Sequence, residues 1–352
     1  MSAQLISRKQ ESGLRAEAGA KYEKDYIMYQ PRISCPAWPM TPDLDTSGAP
    51  YHIPVLAREV VEALQPGPGK LIVDGTLGGG GHTELFLRAG AQVIGLDQDD
   101  EALAFAKNRL SGFGEAFHPV KSNFRHVDRV LADLSVEKVD GILLDIGVSS
   151  HQLGEAERGF SFQANGPLDM RMDRTQPRSA ADIVNDAELE EMVRIFRVYG
   201  EADHAVRIAR KLVARRAVKP FVDTADLAAA VEEVSPRRGR KHPATQIFQA
   251  LRIAVNDELG ALADALTKVP ALLNTGGRFG VITFHSLEDR MVKNSFRDHS
   301  QPMLDRPEWP APRPNPDCYY RLVSRKGITA SEEERTANPR SRSATLRIVE
   351  RL

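Results

Sequence analysis

Leu71-Ile72-Val73-Asp74-Gly75-Thr76-Leu77-Gly78-Gly79-Gly80-Gly81-His82 decides how the rest of the chain is read. Three apolar residues run into an acid, then into a loop holding five glycines. A helical pattern follows through Leu85, Leu87 and Ala89 and stops at Gly90. The stretch predicts a buried strand, a tight turn and a helix, the unit from which an open α/β sheet builds a ligand crevice at its strand ends. Glycine lacks Cβ, so such a loop can bend sharply and lie against a ligand.

The loop chemistry narrows the ligand. A phosphate-cradling Walker loop needs Gly-Lys-Ser/Thr, which is missing. A dinucleotide fingerprint needs G-x-G-x-x-G, but Gly78-x-Gly80 meets Thr83 where the third glycine belongs. Asp74, closing the first strand, would repel phosphates and suits a cationic ligand with an amino group, which describes the sulfonium S-adenosylmethionine. The next strand, Gln92-Val93-Ile94-Gly95-Leu96-Asp97, ends in another acid, placed to take both ribose hydroxyls.

At 352 residues the chain allows one large domain or a core carrying an insertion. No apolar run approaches the roughly 20 residues of a membrane span, and the amino terminus lacks a signal peptide's apolar core. Cys35 and Cys318 form no C-x-x-C pair, which argues against structural zinc or a disulfide framework and fits a reducing cytoplasm. With a net charge of −1, nucleic-acid affinity has to come from a local patch. Residues 1–50 carry both charge signs and five prolines without a sustained period, and are expected to be a flexible extension. Met40 is then the expected natural start.

From Tyr51 the pattern is regular. A helix through Val60, Val61 and Leu64 ends at Pro66-Gly67, and another through Leu103, Ala106 and Leu110 follows the second strand. Phe117-His118-Pro119-Val120 predicts a third strand, and Asn123 caps a helix carrying Val127, Val130 and Leu131. Val139 to Asp145 is the fourth strand, again ending in an acid. This alternation predicts a doubly wound parallel sheet. It then stops for about a hundred residues, where helices are expected through Leu189–Phe196, Val206–Val213 and Leu227–Val234. From Arg194 to Lys241 twelve basic residues face six acidic ones. Such charge is usually a solvated helix face, but beside a ligand crevice it is also the composition of an RNA footprint. One long helix is expected from Phe248 to Leu266. A Gly276-Gly277 turn then leads into the strand Arg278–Phe284, and an antiparallel edge forms from Tyr319–Val323 and Ala344–Val349.

With these stretches in view, residues 51–352 closely resemble the small-subunit ribosomal RNA (cytosine-N4)-methyltransferase H family, also called MraW. Seven segments carry the resemblance in order: Asp74–His82, Gly141–Ser150, Glu157–Phe162, Gly166–Asp173, Lys241–Thr245, Phe284–Arg290 and Asn338–Ser343. It implies a class I S-adenosylmethionine-dependent methyltransferase, with a Rossmann-like, mostly parallel sheet and an antiparallel final strand. The core is expected at 51–163 and 242–352, and an inserted all-helical, RNA-recognising domain at 164–241. The implied activity is methylation of N4 of one cytidine in the decoding region of small-subunit rRNA, on the rRNA or the small ribosomal subunit. The implied cofactor contacts are Gly80, Gly81, His82, Asp97, Phe124, Asp145 and Gln152.

Cytosine N4 is a poor nucleophile because its lone pair is delocalised into the ring, so an acceptor for its proton is needed. Asp145 is the expected acceptor and His285, ending the fifth strand, a second candidate, although Ser286-x-x-Asp289 reads equally as a helix cap. The Asp/Asn-Pro-Pro-Tyr motif of many amino-methyltransferases is replaced by Asp145-Ile146-Gly147-Val148, so an aromatic clamp has to come from elsewhere, with Phe160 and Phe162 as candidates. Arg207, Arg210, Arg215, Arg216 and Lys241 are the expected RNA contacts, and no metal is called for. Two other readings stay open: a nicotinamide-dependent oxidoreductase on a similar sheet, and a non-catalytic rRNA-binding assembly factor.

Overall fold

The computed structural model describes residues 54–237 and 242–352. The expected extension, the start at Met40 and the RNA candidate Lys241 lie outside the described residues. Four strands, β1 (Leu71–Asp74), β2 (Gln92–Asp97), β3 (Phe117–Lys121) and β4 (Val139–Asp145), pair in parallel, with Val73 opposite both Ile94 and Ile142. β5 (Leu273–Thr283) continues the parallel sheet beside β4. β6 (Tyr320–Leu322) and β7 (Thr345–Arg351) close it, β7 running antiparallel between β5 and β6. The order is β3-β2-β1-β4-β5-β7-β6, with Ile328–Thr329 also alongside β7. This is the doubly wound sheet with an antiparallel finish that the sequence predicts, and the strand order reverses between β1 and β4.

Strand alternation divides the core. Ile72, Val93, Leu143 and Ile282 pack on one face with Val60, Leu64 and Phe86. Val73, Ile94, Leu144 and Val281 pack on the other, with Leu262, Val269 and Phe296. Each fully buried Leu, Val or Phe contributes about 1.5–3 kcal/mol. A slip of one residue would exchange the two faces, so the pattern fixes the register. No helix among the described residues is long and apolar enough to cross a membrane.

Two expected elements differ in form. The long helix is broken: Ala244–Asn256 and Glu258–Leu272 meet at Asp257, which sits in the left-handed region with φ 47°. The first half packs Ile247, Phe248 and Leu251 into the helical layer, whereas the second lays Leu262 and Val269 on the sheet. One straight rod could not serve both cores. The Gly276-Gly277 turn is a bulge inside β5: Val139 faces Leu273 but Gly141 already faces Arg278, and Gly276 takes φ +80°.

The helical layer contains the three expected helices, Leu189–Val198, Ala205–Arg216 and Thr224–Val234. A further helix, Ala180–Asp186, is opened by a Ser179–Asp182 capping box. The core of the layer includes Phe160 before residues 164–241 and Ala244, Ile247, Phe248 and Leu251 after them, so the packing draws on residues outside that range. The chain crosses itself at Gly159 and Gly166, where an added Cβ would meet the Pro167 carbonyl oxygen at 2.1 Å and the Ala156 carbonyl oxygen at 1.9 Å. Only glycine fits either position.

Candidate active site

At the carboxyl ends of β1, β2 and β4 lies a cleft of about 310 Å³. It stands where the strand order reverses, the position at which open α/β sheets take ligands. Gly81, His82, Asp97, Phe124, Asp145 and Gln152 all line it. Gly80 does not. It turns the chain into the helix Gly81–Arg88 with φ +78°, and an added Cβ would meet Leu110 Cδ1 at 2.8 Å. Gly80 thus shapes the loop rather than the wall.

Asp74 lies apart from the cleft lining. It is 1 % exposed and accepts from Thr83 Oγ1 at 2.7 Å and from the Thr76 N–H at 3.2 Å. Burial pushes its pKa up. The expectation that it matches a ligand's positive charge is therefore corrected. Thr83, the residue that breaks the dinucleotide fingerprint, is its partner, and the pair ties the helix to the strand before it.

Asp97 and Asp145 do face the cleft. Asp97 accepts from the N–H groups of Gly78, at 2.8 Å, and Asp99, at 2.9 Å, so the turn itself holds the carboxylate. Burial raises its pKa to about 6 against those bonds. Asp145 Oδ2 stands 3.7 Å from His82 Nδ1, too far for a hydrogen bond, and Oδ1 is buried with no partner among the described residues. Burial likewise raises Asp145 to about 6, with His82 acting in the opposite direction. His82 Nε2 lies 2.9 Å from the Val55 carbonyl oxygen, which only accepts, so Nε2 carries the hydrogen. An orphaned buried acceptor in a cleft wall is a costly feature that a ligand donor would relieve.

Gln152 lines the cleft with its amide already committed. Its Oε1 accepts from the Ser149 N–H at 3.0 Å, and its Nε2 donates to Asp99 Oδ2 at 2.8 Å. Asp99 also takes Arg158 at 2.8 Å. Gln152 is thus a bracket joining the β4 loop to the β2 loop.

The remaining candidates divide clearly. His285 is outside the cleft lining. Its Nε2 lies 2.8 Å from Glu288 Oε1, and Glu288 Oε2 accepts from the Phe284 N–H at 2.9 Å at the start of helix Ser286–Asp298. The structure thus places His285 at a helix cap. Phe160 and Phe162 are not in the cleft either. Phe160 is 6 % exposed in the helical core, and Phe162 packs against Phe248 and His242, each ring 4.9 Å away. Phe284 lines the cleft instead, against Gly147. The sequence reading missed it because strand periodicity alone makes it a core residue.

Two of the arginines expected on RNA are internal fasteners. Arg216 Nη1 donates to the carbonyls of Val184, at 2.9 Å, and Ala187, at 2.8 Å, at the carboxyl end of helix Ala180–Asp186. Arg215 pairs with Asp226 and lies over the Phe221 ring at 4.2 Å. Arg207 and Arg210 are exposed on the same helix. Arg216→Ala is expected to cost about 1–3 kcal/mol, since it strands two carbonyl ends of a helix. A denaturant midpoint unchanged from the parent would contradict that role.

Several cleft residues were not anticipated. Gln98 and Asn123 bond to each other at 2.9 Å; Arg252 holds Glu258 through two bonds of 2.7 and 2.9 Å; Asn256 accepts from the Met172 N–H at 2.8 Å. Arg340 enters from the segment before β7.

Comparison with known proteins converges on one family. A sequence profile of the MraW methylase family matches residues 49–352. Ribosomal RNA small subunit methyltransferase H of Anaeromyxobacter sp. (strain Fw109-5) is 52 % identical over 311 residues, covering 87 % of this chain and 99 % of that protein. The protein of the same description from Carboxydothermus hydrogenoformans is 48 % identical over 304 residues, covering 86 % and 98 %. That from Syntrophotalea carbinolica is 50 % identical over 307 residues, again covering 86 % and 98 %.

Proposed function

This chain belongs to the MraW methylase family, and on that premise we propose that it transfers a methyl group from S-adenosylmethionine to N4 of one cytidine in the decoding region of small-subunit ribosomal RNA. The observation that carries the reading is the meeting of Asp97, Phe124, the Gly81–His82 helix start and the unpartnered Asp145 Oδ1 around one cleft.

The residues fit the donor. Asp97 accepts from the ribose diol, because each carboxylate oxygen keeps a lone pair beyond its backbone bond. The Phe124 ring forms a wall for adenine. The first turn of helix Gly81–Arg88 offers N–H groups to the methionine carboxylate. The donor supplies an electrophilic methyl carbon on sulfur. Asp145 Oδ1 accepts an N4 hydrogen, which localises the nitrogen lone pair, and takes the proton as N4 is methylated. Phe284, on the β5 side, is placed to stack on the cytosine. Positioning supplies most of the rate. Base edges are covered in a duplex or a packed rRNA helix, so the target nucleotide is splayed into the cleft.

A nicotinamide oxidoreductase would need a third glycine where Thr83 binds Asp74. An assembly factor without turnover would have no use for an unpartnered carboxylate oxygen in the cleft. The test is methyl transfer to small subunits from cells lacking the enzyme, followed by mass mapping of the rRNA nucleosides. One N4-methylcytidine in the decoding region is expected, and labelled donor with no modified cytidine would remove the reading. Replacing the exposed Arg207 and Arg210 with alanine is expected to weaken subunit binding several-fold and flatten its salt dependence, with the unfolding midpoint and donor affinity unchanged. Binding equal to the parent would take this helix face out of the RNA footprint.

A further inference from the structure

The geometry points to Arg340 as the site that receives a backbone phosphate of the target nucleotide. The inference rests on the proposed reaction and adds to it the group that holds the RNA at the cleft mouth.

Arg340 is fixed from behind. It sits in the short 3-10 turn Pro339–Ser343, whose start is capped by Asn338 Oδ1 accepting from the Arg340 N–H at 3.3 Å. Ser341, next to it, is buried and donates its hydroxyl to the Asn338 carbonyl at 2.8 Å. The backbone is therefore rigid while the guanidinium reaches the cleft, with Asp145 the opposite charge it feels.

Its charge is not neutralised. Arg252, the other arginine in the lining, is held by both oxygens of Glu258. Among the described residues Arg340 pairs with no carboxylate, and its one side-chain bond goes to the Ser149 carbonyl at 3.5 Å, the limit for such a bond. Partial burial lowers its pKa, with Asp145 acting in the opposite direction. A planar fork of free N–H donors in that position suits an oxyanion taken by two bonds.

Two oxyanions come to this cleft, the methionine carboxylate and the RNA phosphates, and the fold separates them. The glycine loop follows β1, Asp145 ends β4, and Arg340 precedes β7 on the far side of β5. A donor lying over β1, β2 and β4 leaves the β5–β7 side to the acceptor. The backbone of Arg340 enters from that side and its guanidinium reaches across to the β4 loop at Ser149, while Phe284 follows β5, one for the phosphate and one for the base.

The test titrates small subunits against the full chain loaded with S-adenosylhomocysteine, over a range of salt, with Arg340→Ala and Arg340→Lys beside the parent. Donor affinity is measured separately by calorimetry, and unfolding midpoints confirm that each variant is folded. Arg340→Ala is expected to weaken subunit binding about tenfold or more and to make the salt slope shallower by about one, with donor affinity within twofold of the parent. Arg340→Lys is expected to restore the slope and part of the affinity. Loss of donor affinity with subunit binding intact would assign Arg340 to the methionine carboxylate and overturn the inference, as would a variant indistinguishable from the parent in both titrations. Parent protein that bound subunits but transferred no methyl group would instead sink the proposed reaction, and the phosphate contact would still be read from the same binding curves.

Discussion

Asp145→Asn is expected to lower kcat by a factor on the order of 10² to 10⁴, the usual range for a lost acid–base group, while donor binding stays within a few-fold. The amide keeps the shape and one acceptor oxygen but cannot hold a proton at neutral pH. The parent should show the matching pH dependence. Asp145 accepts only when ionised, and burial raises its pKa to about 6. Activity measured as kcat/KM for the rRNA, with the donor saturating so that Asp97 is already engaged, is therefore expected to be level above about pH 7 and to fall tenfold per pH unit below about 6. The asparagine variant should lose that limb along with its rate. A variant that kept both the rate and the limb would move the proton acceptor elsewhere.

Asp97→Ala has the second largest expected effect, on binding rather than turnover. Hydrogen bonds to a charged group are worth about 1.5–3 kcal/mol each, and the ribose diol makes two, so donor affinity should fall at least about a hundredfold. The empty protein should not suffer in proportion. Asp97 has a pKa raised from 3.8 to about 6, so the folded state holds that proton more tightly than the unfolded chain. The stability this proton contributes is fully present below 3.8 and is lost as pH rises through about 6. At pH 7.5 the bare carboxylate is thus a cost to the empty fold that the ligand repays. Calorimetry with S-adenosylhomocysteine and a thermal melt of the empty variant separate the two effects. Unchanged affinity would take the ribose away from Asp97, and an early melt would mean that its bonds to Gly78 and Asp99 hold the loop.

Most of the sheet was legible in the sequence because its signals are local. Three apolar strands each end in an acid, and strand alternation with short helical patterns orders them. What a strand end does with its acid was not legible. Asp74, Asp97 and Asp145 look alike in the chain, yet Thr83 turns the first inward, backbone N–H groups hold the second at the cleft, and the third faces the cleft with Oδ1 unbonded among the described residues. The seven motifs marked the segments that matter without saying which side chains in them meet. Arg252, Asn256 and Glu258 join the cleft only because the helix breaks at Asp257, and a left-handed aspartate has no signature that distinguishes it from one in a continuous helix. Charge pattern failed for a related reason. Arg207 and Arg216 read identically along the helix, but one meets solvent and the other meets the open carbonyls of a neighbour.

The most direct measurement is a crystal structure of the chain with bound S-adenosylhomocysteine. The ribose hydroxyls are expected on the Asp97 carboxylate, the adenine against Phe124, and the sulfur facing Asp145 with the β5–β7 side left open. A nucleoside bound away from Asp97, or a sulfur pointing away from Asp145, would contradict the account.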